Sequence, residues 1–285
     1  MNQGGQVSAG RLSVLGGELA KLPAFARRDF LDAWSYRATF VADIGALVIQ
    51  VITFYYVGKM IDSTVLPSFG GESPSYVEYV SVGLAVTVFV AIALNRVAGS
   101  LRQEQWKGTL EVLMMTPTSY ATIQLGSAVY DLVYIPVRTV IFLVVVALAF
   151  DLNLYGSGLP PAVLIVLVFI PFVWGLGLIS AAAVLTFKGA SIGTSVAVTL
   201  LTISSGAYFP LTLLPDWIET IAKANPLAIA IQDVRETLIG GTAWSGIPAD
   251  LAVLMPMSLI SILAGVFAFR LALARERRRG SLALY

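Results

Sequence analysis

The sequence contains no cysteine and no histidine. Without cysteine there is no disulfide framework and no thiolate ligand, and without histidine the commonest general base and metal ligand is missing. These absences argue against a hydrolytic triad and a zinc site. Charge is also scarce, because only 12% of the 285 residues are charged while 57% are hydrophobic, and the mean hydropathy is +0.83. This composition is typical of an integral membrane protein rather than a soluble domain.

A phosphate-binding loop of the form G-x-x-x-x-G-K-[ST] is also missing. The nearest sequence, Gly58-Lys59-Met60, lacks both the earlier glycine and the hydroxyl residue. The chain therefore cannot hold nucleotide phosphates in that manner. If it performs transport fuelled by ATP, another polypeptide must bind the ATP.

Six apolar segments meet or approach the roughly 20 residues that a helix needs to cross a hydrocarbon core about 30 Å thick. The third segment is longer than a perpendicular crossing requires, so we expect it to tilt or to kink near Pro136. Asp43 and Arg270 fall near segment ends, where charged side chains can reach the headgroups. We predict an all-α integral membrane protein with six transmembrane helices in one domain, residues 38–272. The segments are residues 38–58, 77–98, 121–150, 160–185, 190–207 and 249–271.

The positions of Lys and Arg predict the orientation, because these residues are enriched on the cytoplasmic side of membrane proteins. With a cytoplasmic N-terminus, fourteen lie inside, Lys59, Lys223 and Arg235 lie outside, and Arg138 within a span completes the 18. We therefore predict a multi-pass protein of the plasma membrane with both termini cytoplasmic and a basic tail over residues 273–285. The fourteen are Arg11, Lys21, Arg27, Arg28, Arg37, Arg96, Arg102, Lys107, Lys188, Arg270, Arg275, Arg277, Arg278 and Arg279.

The first 37 residues are polar and lack both the uninterrupted apolar core and the small-residue cleavage site of a signal peptide. Leu12, Leu15, Leu19 and Leu22 recur at helical spacing. This pattern predicts an amphipathic helix at the membrane interface that leads into the first span, with an ordinary surface helix as the alternative.

A charged segment, residues 101–119, separates the second and third apolar segments. At about 100° per residue, Trp106 and Leu110 fall on one side of a helix while Glu104, Lys107, Gly108 and Glu111 fall on the other. Proline ends such a helix because it donates no backbone hydrogen bond, so Pro117 predicts the helix bounds 101–117. A rigid polar helix joined to two spans can transmit a push from a soluble partner, although the pattern also fits a solvated loop helix on the headgroups.

The segment over residues 208–245 lies outside in this topology. It contains two helix-like pieces, residues 215–224 and 226–239, whose apolar residues are too numerous for a fully wet loop. We predict a hairpin of re-entrant or interfacial helices, with a small extracellular cap as the alternative.

Polar side chains within the spans are candidates for a translocation pathway, because they are costly in lipid. Asp131 and Arg138 share a face of the third span, and Tyr130 and Tyr134 lie near the same side. The same residues could instead form a buried interhelical ion pair. Trp174 in the fourth span completes the set of pathway candidates.

One motif resembles a known family. Residues 104–111, EQWKGTLE, are followed by Thr116-Pro117, and the chain resembles the membrane subunits of ABC-2 type exporters, the class of drug, lipid and polysaccharide export permeases. Those subunits carry E-x-x-x-G-T-L-E…T-P between spans two and three. Residues after the fifth span are similar to the outer hairpin of this family, namely Tyr208, Pro210, Asn225, Pro226 and Arg235.

The resemblance implies a coupling helix that docks in a groove of a separate ATPase, with the N-terminal amphipathic helix beside it. It implies a unit of two permease chains, identical or related, and two ABC ATPase subunits that bind ATP and Mg. In this chain we expect no catalytic residue, metal or cofactor, and as partners membrane lipids but no nucleic acid. The implied coupling residues are Glu104, Trp106, Lys107, Gly108, Thr109 and Glu111, with Arg27, Arg28 and Asp29 as secondary contacts.

The resemblance predicts a permease that exports an amphipathic or hydrophobic drug, antibiotic or lipid. A polysaccharide or glycolipid exporter is the alternative within the family, with Tyr120, Tyr130, Tyr134 and Trp174 as candidates to line its lumen. A scaffold subunit without a transport role is a third possibility. A membrane-embedded enzyme is disfavoured, because no acidic cluster or hydroxyl-and-base pair converges on one span.

Overall fold

The computed structural model describes residues 22–35, 37–60, 66–71, 73–106, 120–187, 190–241, 244 and 246–279. Nine α-helices and no β-strand lie within these ranges, which confirms the all-helical prediction. Two short 3₁₀ helices, Gly156–Gly158 and Leu211–Leu213, precede α5 and α7. The α-helices are α1 Leu22–Ser35, α2 Arg37–Gly58, α3 Tyr76–Trp106, α4 Tyr120–Phe150, α5 Leu159–Thr186, α6 Ala190–Ile203, α7 Asp216–Lys223, α8 Pro226–Leu238 and α9 Ile247–Arg279.

Helices occupy all six positions predicted for spans, because long apolar runs satisfy their backbone groups internally only as helices. Within the described residues, four helical stretches are long and apolar enough to cross a membrane. The fifth predicted span is shorter than expected, since α6 ends at Ile203 rather than near residue 207. The six-span layout as a whole stays a prediction. The four stretches are Val41–Gly58, Val133–Phe150, Gly156–Thr186 and Ile247–Arg275.

Helices α5 and α9 form the most extensive helix pair. The backbones approach closely because Gly175 of α5 faces both Ser261 and Gly265 of α9. The hydroxyl of Ser261 donates to the carbonyl of Phe172 at 2.8 Å, and that of Ser258 donates to the carbonyl of Val168 at 2.9 Å. Small residues and interhelical hydrogen bonds thus hold the fourth and sixth predicted spans together.

The start of α3 is fixed by a reciprocal capping arrangement between Ser75 and Glu78. The backbone N–H of Ser75 donates to Glu78 Oε2 at 2.7 Å, and the backbone N–H of Glu78 donates to Ser75 Oγ at 3.3 Å. This S-x-x-E pattern satisfies two donors that a helix start would leave free. Glu78 Oε1 also accepts from the backbone N–H of Asn153 at 3.0 Å, so one carboxylate joins the starts of α3 and of the loop after α4.

The charged segment begins differently from the prediction. Residues 101–106 continue α3 without interruption, so no separate helix begins at residue 101. No proline lies between residues 76 and 106, and the helical hydrogen bonding continues past the apolar part. Residues 107–119 lie outside the described residues, and the predicted docking helix in that stretch stays a prediction.

Candidate functional site

Arg138 of α4 forms an ion pair with Asp43 of α2. Its Nη2 lies 3.0 Å from Asp43 Oδ2, and its Nη1 donates to the hydroxyl of Tyr134 at 3.3 Å. Tyr134 stands one helical turn before Arg138, so hydroxyl and guanidinium meet on one face of α4. The interhelical ion pair considered for Arg138 is therefore present, but its acid comes from the first predicted span. Because Asp43 has this protein partner, reaching the headgroups does not by itself account for its charge.

Arg138 is one of the residues that line a small recess. Its walls are apolar apart from Thr139 and come from α2, α3 and α4, so the first three predicted spans meet here. A guanidinium among apolar walls is costly without an ion-pair partner, and Asp43 supplies the opposite charge. The lining residues are Leu47, Ala85, Val88, Ile135, Arg138, Thr139 and Phe142.

The structure does not bring all five pathway candidates together. Arg138 and Tyr134 are in contact, whereas Trp174 lies on α5, packs against the main core and does not line the recess. The indole N–H of Trp174 is buried without a hydrogen-bond partner in the described structure. Tyr130 and Asp131 belong to α4, and their side chains lie outside the described part of the chain.

Arg235, one of the outer candidates, is the centre of a second cluster. Its guanidinium donates to the carbonyls of Tyr79 at 2.9 and 3.1 Å, of Gly206 at 3.0 Å and of Ala207 at 3.0 Å. The side chain is 2% exposed, and Gly83 of α3 leaves the space into which it fits. Burial lowers the pKa of Arg235 to about 10, opposed by its contact with Tyr79, so the group stays charged at neutral pH. The arrangement ties α8 to α3 and to the turn after α6.

Tyr208 joins that turn to the first two predicted spans. Its ring stacks on Phe54 of α2 with 5.5 Å between centroids, and its carbonyl accepts from the hydroxyl of Tyr76 of α3 at 3.0 Å. Pro210 precedes the 3₁₀ helix Leu211–Leu213 as its N-cap. Tyr208 and Pro210 therefore help to fix the backbone that follows α6.

Asn225 caps α8 and connects it to the end of α6. Its side-chain oxygen accepts from the backbone N–H of Leu227 at 2.9 Å, and its Nδ2 donates to the carbonyl of Leu201 at 2.9 Å and to Ser204 Oγ at 3.0 Å. Pro226 occupies the first helical position, where its missing N–H costs nothing. Asn225-Pro226 thus starts α8, and Asn225 also holds this start against the end of α6.

The predicted ATPase-coupling residues are described only in part. Arg27 and Arg28 are exposed on α1, which packs against α4, the helix that begins directly after the charged segment. Glu104 and Trp106 belong to the last turn of α3, and their side chains, like that of Asp29, lie outside the described part. Four more candidates also lie outside the described residues, namely Lys107, Gly108, Thr109 and Glu111.

Three contacts were not predicted from the sequence, namely Ser75 with Glu78, Asp43 with Arg138, and Tyr79 with Arg235. The S-x-x-E pattern at Ser75 and Glu78 could have revealed the helix cap, and the lone acid Asp43 in an apolar run could have suggested an ion-pair partner. Tyr79, the partner of Arg235, carries no such signal. Among the described residues, no group of three or more acidic side chains is placed to hold a metal ion.

Comparison with known proteins gives two findings. The family model for the ABC-2 type transporter matches residues 21–239. The chain is also 25% identical over 230 residues to the protein named "Putative transport permease ycf38" from Porphyra purpurea, covering 80% of this chain and 76% of that protein. The family match takes in α1 to α8, both clusters described above and the charged segment, and it ends before α9.

Proposed function

Because this chain belongs to the ABC-2 type transporter family, we propose that it is the permease subunit of an ATP-driven exporter for a hydrophobic or amphipathic compound. The family match over residues 21–239 carries the proposal. Members of this family associate with an ABC ATPase. The absence of a phosphate-binding loop agrees with this association, because a separate chain must then bind the ATP.

In the proposed cycle, ATP closes two ATPase subunits and moves the charged segment of each of two permease chains. The segment lies between the end of α3 at Trp106 and the start of α4 at Tyr120, so a push on it reaches two predicted spans at once. Helix α1 packs against α4 and would follow it. The spans then rock as rigid bodies between an inward and an outward state.

The apolar surfaces of the chain support the proposed substrate class. The described spans expose large apolar side chains, and the recess at Arg138 is apolar apart from Thr139 and Arg138 itself. Such surfaces favour a hydrophobic or amphipathic compound over a polysaccharide, which needs polar and aromatic residues along a continuous lumen. Of the aromatic residues considered for that lumen, Trp174 packs in the core.

The coupling assignment is tested by Glu111→Lys in the chain co-expressed with its ABC ATPase. We expect the charge reversal to release the ATPase, or to abolish substrate-stimulated ATP hydrolysis, while the thermal unfolding midpoint of the permease is unchanged. Arg278→Glu is the matched control, since it also reverses a cytoplasmic charge in the predicted topology but lies outside the predicted contact. Normal assembly and normal stimulation in Glu111→Lys would contradict the assignment.

A further inference from the structure

The two members of the Asp43–Arg138 ion pair differ in exposure. The Arg138 side chain is 11% exposed and the Asp43 side chain is 47% exposed. Asp43 uses Oδ2 for the ion pair, and about half of its side chain remains open at the surface of the chain. A molecule that approaches the pair from the surface of the chain therefore meets the Asp43 carboxylate first, with the Arg138 guanidinium behind it.

Asp43 lies near the start of its predicted span, five residues into residues 38–58. At 1.5 Å per residue this position is about 8 Å inside the predicted span. The Arg138 guanidinium lies at the same depth, because its Nη2 is 3.0 Å from Asp43 Oδ2. The charge distribution predicts that this end is cytoplasmic, so the carboxylate lies at the depth where an amphiphile of the inner leaflet carries its headgroup.

The helix surface beside Asp43 is partly open. Ala46 stands about one helical turn after Asp43 and is exposed, so it leaves room next to the carboxylate. Leu47, on the same side of the helix, and Val88 belong to the apolar walls of the recess that Arg138 also lines. A carboxylate that faced hydrocarbon alone would be costly, so its open side favours a cationic partner.

We propose that the Asp43 carboxylate recognises the cationic group of an amphiphilic substrate, and that Arg138 is the positioning residue that keeps this carboxylate in place. The proposal rests on the function proposed above, because it names the substrate class of that exporter. Charge-assisted contact with the carboxylate provides selectivity for a cation, and the neighbouring apolar side chains hold the hydrophobic part of the substrate. Arg138 does not touch the substrate in this arrangement.

The test compares two lipophilic ions of matched shape and opposite charge, tetraphenylphosphonium and tetraphenylborate. The full chain is reconstituted with its ABC ATPase in phosphatidylcholine nanodiscs, and equilibrium binding is corrected with empty nanodiscs. We expect the native chain and Asp43→Glu to bind the phosphonium about tenfold more tightly than Asp43→Asn does. In the charge-swapped variant Asp43→Arg with Arg138→Asp, the preference should reverse toward the borate. Glu219→Gln, which removes an ion pair with Lys223 outside the predicted spans, is the control and should leave both affinities unchanged.

Equal phosphonium binding by the native chain and Asp43→Asn would overturn the proposal. A changed oligomeric state in Asp43→Asn with unchanged ion preference would also overturn it, since Asp43 would then be a contact between permease chains. If the charge-swapped variant does not fold, the comparison of Asp43→Asn with Asp43→Glu decides. Stimulation of ATP hydrolysis is measured in parallel: selective binding without stimulation contradicts the exporter function but not the site, and stimulation without charge selectivity contradicts the site alone.

Discussion

The guanidinium carbon of Arg235 lies 3.4 Å from the centroid of the Tyr79 ring, and the same guanidinium donates two hydrogen bonds to the Tyr79 carbonyl. The Tyr79 hydroxyl donates to the carbonyl of Gly206 at 2.9 Å, which Arg235 also contacts at 3.0 Å. One tyrosine and one arginine thus join the second predicted span, the outer helix α8 and the turn after α6. This contact fixes the outer hairpin on α3.

Replacing Arg235 should destabilise the protein strongly. Arg235→Met removes hydrogen bonds to carbonyls of three residues in a buried site, so we expect the free energy of unfolding to fall by about 3 kcal/mol or more. Arg235→Lys keeps the charge but not the planar fork, and it should restore only part of the loss. Thermal unfolding of the purified chain measures the effect. Lys223→Met at an exposed position is the control. A native unfolding midpoint in Arg235→Met would show that the Arg235 hydrogen bonds do not stabilise the fold.

Two helical glycines should respond in opposite directions to the same substitution. A methyl group on Gly83 would collide with the carbonyl oxygen of Ala207 and would lie 2.7 Å from Nη2 of Arg235, so Gly83→Ala should cost about 1–3 kcal/mol. Gly45→Ala has open space and should be neutral or stabilising by up to about 1 kcal/mol. Unfolding midpoints of the two variants provide the comparison, and equal effects would mean that the close packing at Gly83 has no energetic consequence.

Asp233 should make the stability of the protein depend on pH. This side chain is 5% exposed, and burial, together with the nearby carboxyls of Asp250 and Glu236, raises its pKa to about 8. Above its ordinary pKa of 3.8 and below about 8, the folded chain retains a proton that the unfolded chain releases. The free energy of unfolding attributable to Asp233 therefore falls as pH rises through this window, and it levels off above about pH 8.

Asp233→Asn should remove this dependence, because the amide is neutral throughout the pH range. We expect the variant to unfold at a higher temperature than the native chain near pH 9 and to show a flatter profile between about pH 5 and pH 9. Asp216→Asn at an exposed helix start is the matched control and should keep the native profile. If the unfolding temperature of Asp233→Asn changes with pH as in the native chain, the pH dependence comes from other groups.

The predicted orientation can be tested with reporter fusions. A reporter joined after Gly71, between α2 and α3, should be extracytoplasmic, and one joined after Ser119, before α4, should be cytoplasmic. An enzymatic reporter that is active on only one side of the membrane measures each position. The reverse pattern would overturn the topology and, with it, the cytoplasmic placement of the charged segment.

The helices were predictable because the signal for each is local. Residues 160–185 were predicted as a span and the structure has α5 at Leu159–Thr186, since an apolar run that long can satisfy its backbone groups only by forming a helix. The outer pieces predicted at 215–224 and 226–239 coincide with α7 and α8, because Pro215 and Asn225-Pro226 are strong helix starts. The prediction that a separate charged helix starts at residue 101 was wrong, because amphipathic patterning does not mark where the preceding helix ends.

The partners of polar residues were not predictable in the same way. Arg138 contacts Asp43 from 95 positions earlier in the chain, and Arg235 contacts Tyr79 from 156 positions earlier. Helical periodicity relates residues three, four or seven positions apart, so it could suggest that Asp131 and Arg138 share a face but could not identify Asp43. The choice of partner depends on which helices pack together.

The sequence by itself determined that this chain is helical, membrane-embedded and related to transport permeases, because composition, apolar run length and a short motif are sums or patterns over neighbouring residues. Only the tertiary structure decided which charges meet, which member of the Asp43–Arg138 pair is exposed, and how Glu78 and Arg235 join separate segments. These properties arise from the packing of α2, α3, α4 and α8, where close approach through Gly83 and burial from water determine which polar groups must pair.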